Sequence, residues 1–294
     1  MDDAETRRAQ SVFEPVDGSE AIAAAIGGGG MAAMGGSTRI SPYRFQYRVL
    51  KALVLRDLTT RNAQSRLGFA VSVALPIVTL IAMMLMFKLR GRMVPADFSL
   101  YVFVATGYPL WQCFLGMYNR VLNSASRSDP LLMFPQITQL DLIVSGVIVE
   151  FALNTMVFLI LCTGVVVFTG AAMPADPAGV MLCYWSCGWI GLALGMVMCS
   201  VQRIAPLVVT FTNTFLRFGM WVSGVVFMVN RLPSWSWPYL KWNPILHAVE
   251  GARTLWNPTY HSAIFDPIMI FGIGFVMTIC GMVLERGSRR LVGP

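Results

Sequence analysis

The sequence predicts an all-α polytopic membrane protein. Three observations carry this reading. The 294 residues are 56% hydrophobic and only 13% charged, against about 25% charged in soluble domains. Long apolar segments recur along the chain, and spanning a bilayer takes about 20 such residues in a helix. Barrel strands would be shorter and would alternate, and none of these segments does. The net charge of +7 does not point to nucleic acid. The cations sit dispersed at segment ends rather than in one patch, where the anionic inner leaflet attracts them.

Residues 1–40 start acidic, with Asp2, Asp3, Glu5 and Glu14, and become Ala/Gly-rich through Gly27–Gly30. This composition cannot build a core, so a disordered cytoplasmic tail is expected there, followed by one membrane domain over 41–290. The glycine run lacks the following Lys of a GxxxxGK[ST] phosphate loop, and no such loop occurs elsewhere in the sequence. Tyr43–Asn62 repeats Tyr43, Tyr47, Leu50, Val54 and Leu58 at helical spacing beside Arg44, Arg48 and Lys51. An interfacial helix on acidic headgroups fits this pattern, as does a helix docked on a partner.

Six transmembrane helices are expected: Leu67–Phe87, with Pro76 inside, Phe98–Tyr118, Leu142–Phe168, Pro177–Ser200, Ala205–Val229 and Ile264–Leu284. With the amino terminus inside, most Lys and Arg flank the inner ends. Both termini are therefore placed in the cytoplasm; Lys88, Arg90 and Arg92 run against the trend. The largest inner loop is Asn119–Asp141. Within it Asp129 can cap a short helix begun by Pro130. That helix carries Leu131, Leu132 and Phe134 before Pro135 and Gln136. It is either a docking knob for another protein or a loop packed on its own helices.

Two charges lie inside spans, Glu150 in the third and Arg217 in the fifth. At about 1.5 Å per residue they fall within roughly one turn of the same depth. They can line a polar pathway or form a structural ion pair. Tyr101, Tyr108 and Trp111 head an aromatic series in the second span; sugar stacking and plain packing both use such residues. Gly191 and Gly195 form a GxxxG, a close-packing signal whose partner is open between this chain and a second copy. The six cysteines all fall in apolar segments and read as small hydrophobes. No metal-ligand spacing or catalytic nucleophile is present in the pattern.

Lys241–Tyr260 is the stretch that resists crossing. Lys241, His247, Glu250 and Arg253 interrupt it, Asn243-Pro244 and Asn257-Pro258 bracket it, and Trp235, Trp237 and Trp242 surround it. Charges there would cost several kcal/mol each at mid-membrane. Short helices at the outer surface are expected instead, with His247 in a structural hydrogen bond.

This stretch resembles the membrane subunits of ABC-2 type exporters, specifically capsular polysaccharide permeases. The resemblance rests on Trp242-Asn243-Pro244-Ile245-Leu246-His247, then Val249, Glu250 and Arg253, and on Pro258 and Tyr260. Weaker likeness lies in Arg66-Leu67-Gly68-Phe69, in Leu131–Pro135 with Asp141, and in Glu150. The chain departs from the family pattern at Val71 and Leu75. The resemblance implies a homodimer bound to two copies of a separate ATPase that holds ATP and Mg, with no cofactor in this chain. It implies coupling through Asp129–Gln136, re-entrant gate helices over Trp235–Arg253 before the last span, and an inner-membrane location. The implied cargo is a lipid-linked polysaccharide, with Tyr101, Tyr108, Trp111, Glu150 and Arg217 along its conduit and periplasmic export proteins and membrane lipids as further contacts. A drug or lipid exporter of the same class is the alternative; a membrane-embedded glycan- or lipid-modifying enzyme would need clustered acids or histidines that the pattern lacks.

Overall fold

A computed structural model describes residues 42–63, 66–90, 98–126 and 139–292. Every regular element among them is helical. The expected tail over 1–40 and the expected coupling stretch, with Asp129, Pro130, Leu131, Leu132, Phe134, Pro135 and Gln136, lie outside the described residues. Two compact units are present, Met1–Gly68 and Phe69–Pro294. The first contains α1, Pro42–Ala63, which is helical over the stretch its apolar repeat predicts.

In the second unit, α2 (Arg66–Arg90, its first residues in the first unit) passes through Pro76 without a break. Leu80, Met83 and Phe87 recur at helical spacing and are buried, while Leu75, Val78, Ile81, Leu85 and Leu89 are exposed. Phe87 meets Phe103 edge-on at 5.6 Å. One apolar face thus packs on protein and the other is left for lipid, since lipid tails are as apolar as a core side chain.

The next helix, α3 (Leu100–Ser126), is longer than the span predicted for it. It carries Arg120, expected in the inner loop, onto the helix, where that side chain lies against Gly146 of the next helix. Helix α4 begins at Gln139 and runs to Thr169. The stretch between these two helices is therefore shorter at both ends than the Asn119–Asp141 loop that the sequence suggests. α5 (Pro177–Gln202) is capped by Asp176, whose Oδ1 accepts from Gly179 N at 3.0 Å.

α5 is the central strut, packing against α3 and against the helices Pro206–Val222, Pro244–Trp256 and Pro267–Val292. Its glycines explain the closeness to α3. A Cβ at Gly191 would strike the Phe114 carbonyl, and one at Gly195 would lie 2.8 Å from Val121 Cβ. The GxxxG therefore seats α3 of the same chain. α9 (Pro267–Val292) uses Gly281 in the same way, against Met196 of α5.

Among the described residues, Asp141–Thr169, Pro177–Gln202 and Pro267–Ser288 are long and apolar enough to cross a membrane, and Ala74–Leu89 is a shorter apolar helix. The fifth expected span is corrected. α6 covers only Pro206–Val222, 17 residues, or about 25 Å against a hydrocarbon core of about 30 Å. It stops because Gly224 takes φ +72°, a left-handed conformation that glycine adopts without penalty. The expected helical continuation is instead an irregular, mostly buried run over residues 225–228 that leads into a 3-10 turn at Val229.

Candidate functional site

The irregular run after α6 leaves backbone groups unpaired by any helix, and burial makes such groups costly. The segment between α6 and the last helix supplies their partners. It consists of two single 3-10 turns, Val229–Arg231 and Ser234–Ser236, a one-turn helix α7 (Trp237–Leu240) and α8 (Pro244–Trp256). Asn243 organises its start. Its Oδ1 accepts from Ile245 N at 3.1 Å and Leu246 N at 3.4 Å, and Nδ2 donates to Ser223 Oγ at 3.1 Å. One side chain thus caps α8 and ties it to the end of α6, with Pro244 at the first helical position where its missing N–H costs nothing.

α8 is buried from Ile245 through Arg253. Glu250 and Arg253 are both 0% exposed and form an ion pair at 2.9 Å. Glu250 Oε1 also accepts from Val229 N at 3.5 Å, and Oε2 accepts from the Tyr260 hydroxyl at 2.6 Å. Arg253 Nη1 donates to Phe227 O at 3.0 Å, and its guanidinium carbon stands 4.1 Å from the Phe103 ring centroid of α3. The pair therefore binds both backbone polarities of the irregular run. Gly107 leaves room for it: a Cβ there would sit 3.2 Å from Arg253 Nη2. Burial pulls the Arg253 guanidinium below its ordinary value while Glu250 opposes that. Burial, then the Glu250 carboxylate, pushes the Tyr260 phenol up, so it stays a proton donor.

His247 serves the same segment. Its Nε2 lies 2.8 Å from Lys241 O, and its Nδ1 accepts from Asp266 N at 3.1 Å. The carbonyl on one side and the N–H on the other assign the Nε2–H tautomer. Asn230 adds a further tie, donating to His261 O at 2.8 Å and accepting from Ala263 N at 3.1 Å. At its far end α8 is stitched to the loop before α5: Trp256 Nε1 donates to Ala172 O, and Asp176 N donates to Leu255 O.

The residues expected at the outer gate thus divide. His247, Glu250 and Arg253 form a buried strut that the half-buried Asn243 and Pro244 begin, while Trp235 and Trp242 stand 72% and 74% exposed; Trp237 is half-buried. Phe227, Asn230 and Asp266 belong to the same hydrogen-bonded set, and Phe103 offers its ring to the guanidinium; these roles escaped the sequence reading. Backbone acceptors and ring faces leave no signal in a sequence; Tyr260 is legible only as the end of the Pro258–Tyr260 turn.

The conduit candidates are dispersed. Tyr108 and Trp111 are buried in the core; Tyr108 accepts from Gln112 Nε2 at 2.5 Å, and Trp111 packs on Phe114 at 5.2 Å. Tyr101 is partly exposed near the start of α3. Glu150 and Arg217 are not brought together. Glu150 Oε1 accepts from Asn154 Nδ2 at 3.0 Å, and Arg217 is exposed on α6. Shared depth did not make an ion pair, because α4 and α6 do not pack closely on one another.

Comparison with known proteins agrees on one family. The ABC-2 type transporter family matches residues 48–256. The capsule polysaccharide export inner-membrane protein CtrC of Neisseria meningitidis is 25% identical, covering 85% of this chain and 94% of its own. The capsule polysaccharide export inner-membrane protein BexB of Haemophilus influenzae is 23% identical over the same shares. The polysialic acid transport protein KpsM of Escherichia coli is 24% identical, covering 76% of this chain and 86% of its own.

Proposed function

The chain belongs to the ABC-2 type transporter family, and on that premise we propose that it is the membrane permease subunit of an ATP-driven exporter. Its cargo is a capsular or surface polysaccharide, lipid-linked, carried outward across a bacterial inner membrane. The observation that carries this reading is the set of relatives named for capsule polysaccharide export, matched along nearly their whole length. Chemistry on the cargo is assigned to no residue of this chain. ATP and Mg belong to a separate ATPase subunit, since the sequence contains no phosphate-binding loop. Two copies of the chain pair with two ATPases, and the Lys/Arg asymmetry puts both termini in the cytoplasm.

In this reading Asp129–Gln136 receives the ATPase's motion, and Trp235–Trp242 forms the yielding part of the outer gate. Those turns are exposed and short, whereas α8 is held at both ends and through its middle. The test of cargo is deletion of the gene followed by assay of surface polysaccharide. Loss of the polymer, restored by a plasmid copy, is expected; an unchanged cell surface would reject the polysaccharide and favour a drug or lipid. For coupling, Phe134→Asp places a charge on the apolar docking face. It should weaken ATPase co-purification by about 2 kcal/mol, roughly thirtyfold. A complex that stays intact and coupled would remove Asp129–Gln136 from the interface.

A further inference from the structure

Helices α3 and α4 meet along a polar seam. Gly116 of α3 lies by Glu150 and Asn154 of α4, and Arg120 lies by Gly146. The order is reversed, so the helices run antiparallel, with residues 127–138 joining them. The spacing is i, i+4 on α3 and i, i+4, i+8 on α4, which keeps each set on one face. Depth agrees as well. At about 1.5 Å per residue, Arg120 stands about 9 Å from the Ser126 end of α3, and Gly146 about 10 Å from the Gln139 end of α4. By the same measure Gly116 and Glu150 stand about 15 and about 16 Å in.

Each helix puts a polar group into a glycine notch of the other. A Cβ at Gly146 would fall 2.5 Å from Arg120 Nη2 and 2.7 Å from its Cζ, with Nε nearer still. A Cβ at Gly116 would fall 3.1 Å from Asn154 Nδ2 and 3.4 Å from Glu150 Oε1. Asn154 Nδ2 donates to Glu150 Oε1 at 3.0 Å and to Glu150 O at 2.9 Å, which holds both side chains in place. A polar group that left its notch would meet hydrocarbon, so the seam resists sliding and rotation. α4 depends on it. Among the described residues α3 is the one helix on which α4 packs closely. Its contacts with α5 are side-chain ones, such as Phe151 at Gly188 and the Phe158 ring stacked on Tyr184 at 4.2 Å. α3 itself is tied further, to α5 at Gly191 and to α6 where the Tyr118 hydroxyl donates to Asn213 Oδ1 at 2.5 Å.

We propose that Arg120 is a positioning residue of the transport cycle. Seated in the Gly146 notch, it joins α3 and α4 into one lever, so that a push on the stretch between them moves both helices rather than α3 alone. This rests on the assignment of Asp129–Gln136 to the ATPase interface and adds how that motion enters the membrane. The notch sits about two turns from the ends that receive the push, where a clasp transmits force before either helix can bend away.

The test uses the full chain with its ATPase subunit. Gly146→Ala pushes the guanidinium out of its notch, and the chain still folds, because the atoms it meets end a flexible side chain. Melting temperature and ATPase co-purification should be unchanged and ATP hydrolysis should stay within about twofold, while surface polysaccharide in the complemented deletion strain falls about tenfold. Arg120→Met, which removes the guanidinium, should do the same, and the double variant should be no worse than either single one. Gly164→Ala on α4 is the control: a Cβ there meets only Phe168, at 4.0 Å, and export should match wild type. Wild-type export by Gly146→Ala, additive losses in the double variant, or a loss that comes with a lower melting temperature or a dissociated complex overturns the proposal. A second reading is independent of cargo. Phe168→Cys marks the exposed far end of α4, with the exposed Cys280→Ser removed as a competing thiol. Its labelling rate with a maleimide should change severalfold when the complex is trapped with ATP and vanadate, and Gly146→Ala should abolish that change. A rate that does not respond in the otherwise wild-type chain, or responds equally in Gly146→Ala, also overturns the proposal. If gene deletion leaves surface polymer unchanged, the polysaccharide reading fails and the labelling decides on Arg120. If Phe134→Asp leaves the complex coupled while Gly146→Ala still lowers export, only the docking assignment fails.

Discussion

Arg253→Ala should destabilise the protein by about 3–5 kcal/mol, because it strands the Glu250 carboxylate in a fully buried site. The substitution also removes the donor to Phe227 O, leaving a carbonyl of the irregular run unpaired. Thermal unfolding of the purified protein measures it, and a drop well beyond that of an exposed control such as Trp235→Ala is expected. The informative companion is Glu250→Gln with Arg253→Met. Removing both charges together avoids the stranded ion, so the double variant should recover much of what the single variant loses. Equal losses in single and double variants would mean that the backbone contacts, not the charge pairing, hold the segment around α8. No loss in either would remove the pair from the account of why α8 is fixed. A buried pair retained here has a structural use: Glu250 and Arg253 present an acceptor and a donor to Val229 N and Phe227 O, which two apolar side chains could not do.

Gly191→Ala should be disproportionately damaging for a single methyl. The added Cβ would meet the carbonyl carbon of Phe114 at 2.9 Å and its Cα at 3.0 Å, with the carbonyl oxygen closer still. These are backbone atoms and cannot rotate aside, so α3 and α5 must separate. Overpacking of this kind costs about 1–3 kcal/mol, and Gly191→Val should cost more. Gly272→Ala on α9 is the matched control, since a Cβ there meets nothing within 4 Å. That change should be neutral or stabilising by up to about 1 kcal/mol, through helix propensity. Melting temperatures that move alike in the two variants would contradict the close α3–α5 contact.

Much of the site was legible before the fold was. Asn243-Pro244 announces a capped helix start, and the structure places the cap, the proline and α8 there. The charges of Lys241–Tyr260 announced that the stretch does not cross, and α8 is indeed 13 residues long. His247 reads as a structural hydrogen-bonding residue and joins two backbone segments. Partner choice was left open. Glu150 and Arg217 matched in depth, yet Glu250 pairs with Arg253 within α8 while Arg217 is left exposed. The fifth span failed for a related reason. Val225, Val226, Met228 and Val229 are apolar enough to extend a membrane helix, but they are apolar because they are buried against α8 and its neighbours.

Composition and local pattern alone dictate the all-helical membrane class, the capped break before the last helix and the charges that need partners. It could do so because a bilayer forces each segment to satisfy its own backbone, so the composition of a single stretch decides its helical state. Helix packing sets the end of α6 at Val222, the seating of α3 of the same chain on Gly191 and Gly195, and the locking of α8 by the Glu250–Arg253 pair. Those outcomes depend on which helix faces meet. Rotation about a helix axis changes every lateral contact while leaving depth, hydropathy and local capping untouched, and so it leaves no mark on a single sequence.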